Sequence, residues 1–334
     1  KTGTVTTEPR RRGEFDLIAT FLEPLTGGDP RALGLTDDAA VVPQKTGCDT
    51  VVSTDTMVAG VHFLMTETPD IIARRLLRVN LSDIAAMGAR PVGYFLNLTL
   101  PDSIGNDWLE KFASGLAADQ ALFGVTLLGG DTTRTPGQLT LTVTLFGEVA
   151  SGSAVRRNTA RPGDLVFVSG TIGDAGLGLR GLSDGMAGGD ELVRRFQLPD
   201  PRVALGPALC GIASAMADVS DGLVADLGHI CEASGCTAAI RADAVPLSAG
   251  ARRALSEDGV EITRLLTGGD DYELVFTVSP DRAAAARDAA ARTDVPVCEI
   301  GAIGDRVGQG GTTVVVRDAD GTDISPETGG YRHF

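Results

Sequence analysis

The sequence predicts a two-domain α/β protein, on three observations. The chain has 334 residues, more than one core organises comfortably, since single cores stop growing near ~250–300 residues. Its second half alternates short apolar runs with helix-length segments, the pattern of strands layered against helices. Between the halves lies a polar, basic stretch, 151–163, holding Arg156, Arg157, Arg161 and Pro162. The expected division is a flexible leader over 1–12, an N-terminal domain over 13–150 and a C-terminal α/β domain over 151–334.

The first half opens with a short helix around Glu14–Pro24, then "LTDDAAVVP" and a strand, "TVVSTDT". A helix follows at roughly 69–87, with Pro69 suited to its first turn and Gly88 to its end. Its apolar stripe runs Ile72, Leu76, Val79, and Asn80 and Asp83 continue that face, so Asp83 is expected to point inward. A second helix covers about 106–123, with Asn106 or Asp107 as cap and Trp108, Phe112 and Leu116 in line. "VTLLGGD" reads as a buried strand ending in a turn. "LTLTVTLFGEV" alternates leucine and valine with threonine, a half-buried strand. The second half begins with the strand "LVFVS" and a glycine-rich helix. A helix after Pro201, the strand "AMADVS" and a helix from Asp221 to about Ser234 follow. Then come "LLTGGDDYELVF" (265–276), a helix at 280–292 and strands near 296–303 and 312–317. No short-period repeat is present.

Composition narrows the function classes. An apolar fraction of 43% is ordinary for a globular chain, so disorder is not expected. A net charge of −15 disfavours nucleic acid and anionic membranes as partners. It leaves room for small phosphates if cations stand between like charges. The five cysteines (48, 210, 231, 236, 298) show no zinc-like spacing and read as reduced cytosolic thiols, with Cys231 and Cys236 as core. No apolar run reaches transmembrane length, and "KTGTVTTEPRRRG" lacks the apolar stretch of a signal peptide. There is no phosphate-binding G-x4-G-K-[ST] loop. "GLGLRG" (Gly176, Gly178, Gly181) matches a dinucleotide fingerprint but does not follow its strand directly, so it reads as a small-residue helix packed close to a neighbour. Histidines 62, 229 and 333 are too few and too separated for a metal cage. His229 is expected to be structural, and His62 lies close to the acidic stretch before it. The glycosylation-like triplets at Asn80 and Asn97 carry no meaning in a cytosolic chain.

The acids that matter are the placed ones. Asp37-Asp38, Asp55, Asp83, Asp131, Asp218, Asp221 and Asp270-Asp271 each fall at the end of an apolar strand, at a turn or on an inward helix face. Gly129, Gly130, Gly268 and Gly269 precede two of these sites and let backbone approach a ligand. With the hydroxyls of Ser53, Thr54 and Ser220 nearby, this all-oxygen set suits a hard cation such as Mg²⁺. Alternate residues of an extended chain point to opposite sides, so only one of Asp270 and Asp271 is expected to face the site.

The motifs "GEFDLIATF", "LTDDAAVV", "STDTMVAGVHF", "VNLSDIAAMGARP", "LLGGDTTR", "DVSDGLVADLGHI" and "TGGDDYELVF", with the closing "GYRHF", come in the order and spacing of thiamine-monophosphate kinases. The chain resembles that family over about 13–334. The resemblance implies the two-domain fold of the aminoimidazole ribonucleotide synthetase superfamily, with an N-terminal ATP- and metal-binding domain forming a barrel-like homodimer interface. It implies ATP-dependent phosphorylation of thiamine monophosphate to thiamine diphosphate, in the cytoplasm, with several Mg²⁺ ions and no general base. Carried over by position, Asp38, Ser53, Thr54, Asp55, Asp83, Asp131, Asp218 and Asp221 look like metal ligands. Gly130, Asp131, Arg157 and Ser220 look like ATP contacts, and His62, Asp270 and Tyr331 like thiamine-side contacts. Two positions depart from the family pattern: Asp270 stands where a longer Glu is usual, and Thr36 where Gly usually precedes the two acids. Selenophosphate synthetase would need a reactive cysteine with a lysine nearby, company that Cys48 lacks. The hydrogenase-maturation relative carries a C-terminal cysteine where this chain has "YRHF".

Overall fold

The computed structural model describes residues 13–184, 189–305 and 313–331. The proposed leader 1–12, His333 and the first position of the 312–317 strand lie outside the described residues. The chain divides into two compact units. One comprises 13–46, 52–80 and 91–146; the other comprises 47–51, 81–90 and everything described from 147 onward.

The first unit begins with α1 (Glu14–Leu17), whose helix continues as wider and then tighter turns to Thr26. Then come β1 (Cys48–Val58), α2 (Pro69–Ala86), β2 (Arg90–Leu100), α3 (Asn106–Phe123), β3 (Leu127–Arg134) and β4 (Thr140–Ala150). These strands form one sheet in the order β1-β4-β2-β3. The expected stripe of α2 is buried at Ile72, Leu76 and Val79, and Asn80 is fully buried. Asp83 is only half-buried. β4 buries Leu141, Val143 and Leu145 and exposes its threonines more, the alternation the sequence predicts. Two expectations change. The N-cap of helix α3 is Gly105, so Asn106 and Asp107 fall inside its first turn. And β3 does not end in a turn at Gly129-Gly130-Asp131: it runs on to Arg134, parallel to β2, with Asn97 opposite Asp131. A Cβ at Gly130 would lie 1.9 Å from the Leu96 carbonyl oxygen, so glycine there serves close strand packing, not chain reversal.

The second unit runs β5 (Leu165–Ser169), α4 (Asp174–Asp184), α5 (Gly189–Gln197), α6 (Leu205–Ala208), β6 (Ala215–Asp218), α7 (Leu223–Ser234), β7 (Thr237–Arg241), α8 (Ala249–Glu257), α9 (Ile262–Leu266), β8 (Leu274–Val278), α10 (Ala283–Arg292), β9 (Val297–Gly304) and β10 (Val314–Arg317). The sheet order is β10-β7-β9-β5-β8-β6, with β10 and β7 parallel and the other pairs antiparallel. Period-2 alternation separates two cores. Val166 and Val168 of β5 pack with Leu223, Leu227 and Ile230 of α7, while Phe167 between them packs with Ala286 and Ala290 of α10. This is an α/β layering. Cys231 and Cys236 are core, and no disulfide forms among the described residues. The glycine motif 176–181 lies in α4, where a Cβ at Gly178 would meet the Leu192 carbonyl oxygen of α5 at 2.0 Å; it is a helix–helix contact. Among the described residues, no helix is long and apolar enough to cross a membrane.

Candidate functional site

In the first unit Asp131 lies within β3, and Ser53, Thr54 and Asp55 lie within β1, not at strand ends. A pocket takes its acidic and polar lining from Glu14, Asp37, Asp38, Asp131 and Thr132. Ile18, Leu22, Phe95 and Leu127 supply apolar wall, and Gly129 and Gly130 leave room along one side. On β1 the pleat sorts the neighbours. The Thr54 hydroxyl donates to the Val143 carbonyl at 3.0 Å and pairs with Thr144 on β4. Ser53 and Asp55 therefore share the other face, away from that pair. Buried Asn80 ties this stretch to α2: its Oδ1 accepts the Asp55 N–H at 3.1 Å, and its amide donates to Leu76. Half-buried His62 accepts the Val58 N–H at Nδ1, an arrangement that favours the Nε2–H tautomer.

In the second unit the centre is Asp218, at the end of β6 and 2% exposed. Its Oδ2 accepts the Ser82 hydroxyl at 2.8 Å, and Arg157 Nη2 stands 4.0 Å from Oδ1. Burial pushes its pKa well up, reinforced by the negative charges of Asp83 and Asp226; Ser82 and Arg157 pull only partly the other way. The next residues turn under the control of Asp226, a carboxylate that the sequence reading passed over. Asp226 Oδ2 accepts the N–H groups of Ser220, Asp221 and Gly222 at 3.0, 3.0 and 3.2 Å. Helix α7 consequently starts at Leu223, not at Asp221. Burial raises Asp226 to about 6 against that backbone bonding. Oxygens of Asp221 and Asp226 and a ring nitrogen of His229 lie within 4.8 Å of one another. His229 lies in α7, as expected of a helical position, and is exposed.

The Gly-Gly-Asp-Asp stretch is not extended. Asp270 and Tyr272 are left-handed, at φ 68° and 51°, and β8 begins only at Leu274. Their N–H groups donate to the carbonyls of Ser220 and Val219, both at 2.8 Å. A Cβ at Gly269 would sit 2.4 Å from the Ser220 oxygen. The glycine room serves the protein's own backbone here. Asp271 faces inward, 1% exposed, and accepts the N–H groups of Gly173 and Ala175 at the start of α4. Burial pushes its carboxyl up to about 8 despite those bonds. Asp271 thus braces the local scaffold, and αL turns rather than strand alternation separate it from Asp270. Exposed Tyr331 joins the same loop through its N–H to the Asp221 carbonyl.

A second network lies beneath, invisible in the sequence. Glu273 is fully buried, and Arg202 grips it with two bonds of 2.6 Å. Arg195 and the Ser169 hydroxyl add bonds of 2.9 and 2.6 Å. Burial alone would raise this carboxyl; the two guanidinium groups hold it below its ordinary value.

The described residues thus supply oxygen donors and an arginine facing the Asp218 carboxylate. The chain matches the family models for the AIR synthase related protein N-terminal domain over 36–149 and the C-terminal domain over 161–313. It is 47% identical over 324 residues to a thiamine-monophosphate kinase of Caulobacter vibrioides, covering 96% of this chain and 90% of that one. A crystal structure of thiamine-monophosphate kinase from Stenotrophomonas maltophilia is similar at TM-score 0.81 and 41% identity, over 92% of this chain and 97% of that one. A structure described as AaThiL complexed with AMPPCP and TMP is similar at TM-score 0.76 and 29% identity, over 98% and 100% of the two chains.

Proposed function

The chain belongs to the thiamine-monophosphate kinase family, and from that membership we propose that it transfers the γ-phosphoryl group of ATP directly to thiamine monophosphate, giving thiamine diphosphate. The similar structure holding AMPPCP, an ATP analogue, together with TMP supports this pair of substrates. One observation in this chain carries the reading. Asp270 and Tyr331, two of the three thiamine-side candidates, bond through their backbones to Ser220 and Asp221, so contacts assigned to the two substrates sit on segments tied to one another.

Mg²⁺ fits the donor set. Asp218 is buried beside Asp83 with the Arg157 guanidinium 4.0 Å away, and such a cluster is costly to charge without a further cation. Asp83, Asp218 and Asp221 in one unit, and Asp38, Ser53, Asp55 and Asp131 in the other, would hold the ions. When bound, Mg²⁺ neutralises phosphate charge and bridges it to carboxylates. The residues do the rest by positioning. In the second unit Arg157 offers a fork of donors to an ATP phosphate and the Ser220 hydroxyl a further one; in the first unit the Gly130 backbone is the nucleotide-contact candidate. The thiamine-side candidates are His62 in the first unit and Asp270 and Tyr331 in the second, with Asp270 reaching one methylene less than glutamate. The nucleophile is a substrate phosphate oxygen, largely dianionic at neutral pH because its second pKa is near ~6, so no general base is required. We also read the chain as a cytoplasmic homodimer, which light scattering tests.

Incubation with ATP, Mg²⁺ and thiamine monophosphate should yield thiamine diphosphate and ADP in equal amounts. ATP hydrolysis without the diphosphate would refute the assignment. Retention of configuration at a chiral γ-phosphate would refute direct transfer.

A further inference from the structure

We infer that Arg195 is a positioning residue that holds the strained turn presenting Asp270, acting through the Asp271 carbonyl and the Glu273 carboxylate; this rests on the reading of Asp270 as a substrate contact. Two non-glycine residues in the left-handed region within three positions are unfavourable and persist only where the surroundings over-determine them. Backbone bonds to Ser220 and Val219 fix one edge of the turn. Its other edge faces α5. There Arg195 Nη2 donates to Glu273 Oε1 at 2.9 Å and makes a long contact, 3.5 Å, with the Asp271 carbonyl. These two acceptors flank Tyr272, the second left-handed residue. One cation therefore clamps both sides of the distorted position. The Tyr272 hydroxyl in turn lies 3.4 Å from Asp270 Oδ1, so a shift at 272 is passed to the substrate-facing carboxylate.

Glu273 does not depend on Arg195 for its charge balance, because Arg202 binds both of its oxygens. Removing Arg195 leaves a neutralised Glu273 and a foldable chain. Arg195 itself is 20% exposed at its side chain, so its loss opens no sealed cavity.

The test compares wild type, Arg195→Met and Arg195→Lys by steady-state kinetics and by hydrogen exchange of the 268–274 backbone. Arg195→Met should raise KM for thiamine monophosphate on the order of tenfold with KM for ATP within about twofold, since small misplacements act on the misplaced contact. Exchange over 268–274 should quicken. Lysine can give both contacts from one nitrogen, as Nη2 does, and should bring the KM back to within about threefold of wild type. Unchanged exchange in Arg195→Met, or KM values that rise together for both substrates, or no rescue by lysine, would each overturn the inference. A wild type that makes no thiamine diphosphate would remove the kinase reading and this inference with it; an active wild type with any of those three results removes the inference alone.

Discussion

At the scale of the residue, Asp218 shows a side chain kept where its charge is disfavoured. It is buried at a strand end, with Asp83 and Asp226 adding negative potential. Asparagine has the same shape and can still accept from Ser82, but it removes the charge. Asp218→Asn should therefore match or exceed wild type in thermal midpoint when divalent cations are chelated, because a repulsive interaction is relieved. Its turnover should fall on the order of 100-fold or more, as when a charge-stabilising group is lost. Calorimetry in chelator and the product assay read the two effects separately. A chelated variant that melts below wild type would make Asp218 a structural acid and remove it from the proposed metal set.

Among elements, two helical glycines give opposite signs. At Gly178 on α4, a Cβ meets the Leu192 carbonyl of α5 at 2.0 Å, and a backbone atom cannot rotate away. Gly178→Ala should cost about 1–3 kcal/mol, as overpacking does, and shift the helix that carries Arg195. At Gly228 on α7 the nearest atom is Val314 Cγ2 at 3.9 Å, ordinary contact. Gly228→Ala should stabilise by about 0.5–1 kcal/mol through helix propensity. Urea titrations of both variants check the pair; equal signs would contradict the packing. The same elements show what was legible in the sequence. Periodicity gave the buried stripe of α2 and the alternation of β4, because burial on one face leaves a local pattern. Gly129-Gly130 and Gly268-Gly269 could be read only as backbone freedom. That the freedom serves close approach to Leu96 and Ser220 depends on segments far away in the chain. The left-handed Asp270 is likewise imposed by pairing with 219–220, and an isolated reading of an apolar-bound acid pair gives a strand. Asp226 is one acid of a helical segment and Arg195 one basic residue of "DELVRRF". Nothing local marks either as bracing a loop. The metal-ligand and substrate candidates came instead from several motifs agreeing in order.

For the whole molecule, the governing quantity is a charge of −15, from 44 acids against 29 basic residues. Such a chain repels itself and its phosphate substrates, and any salt will relieve part of this by screening. Raising ionic strength from about 0.01 M to about 0.15 M shortens the Debye length from ~30 to ~8 Å, so NaCl alone should raise the melting midpoint of the chelated protein. A specific divalent site adds something screening cannot supply. It stabilises the native state in proportion to occupancy, by about 2.7 kcal/mol at a hundredfold excess over Kd. At matched ionic strength, MgCl2 should therefore give a higher midpoint than NaCl, and the difference should saturate. Asp218→Asn should keep the NaCl response and lose most of the additional Mg²⁺ response, because distant surface charge is untouched while the buried donor is gone. Coincident midpoints in the two salts would mean that the acids act only as a diffuse field, and the oxygen cluster would then not be a metal site in the protein without substrate.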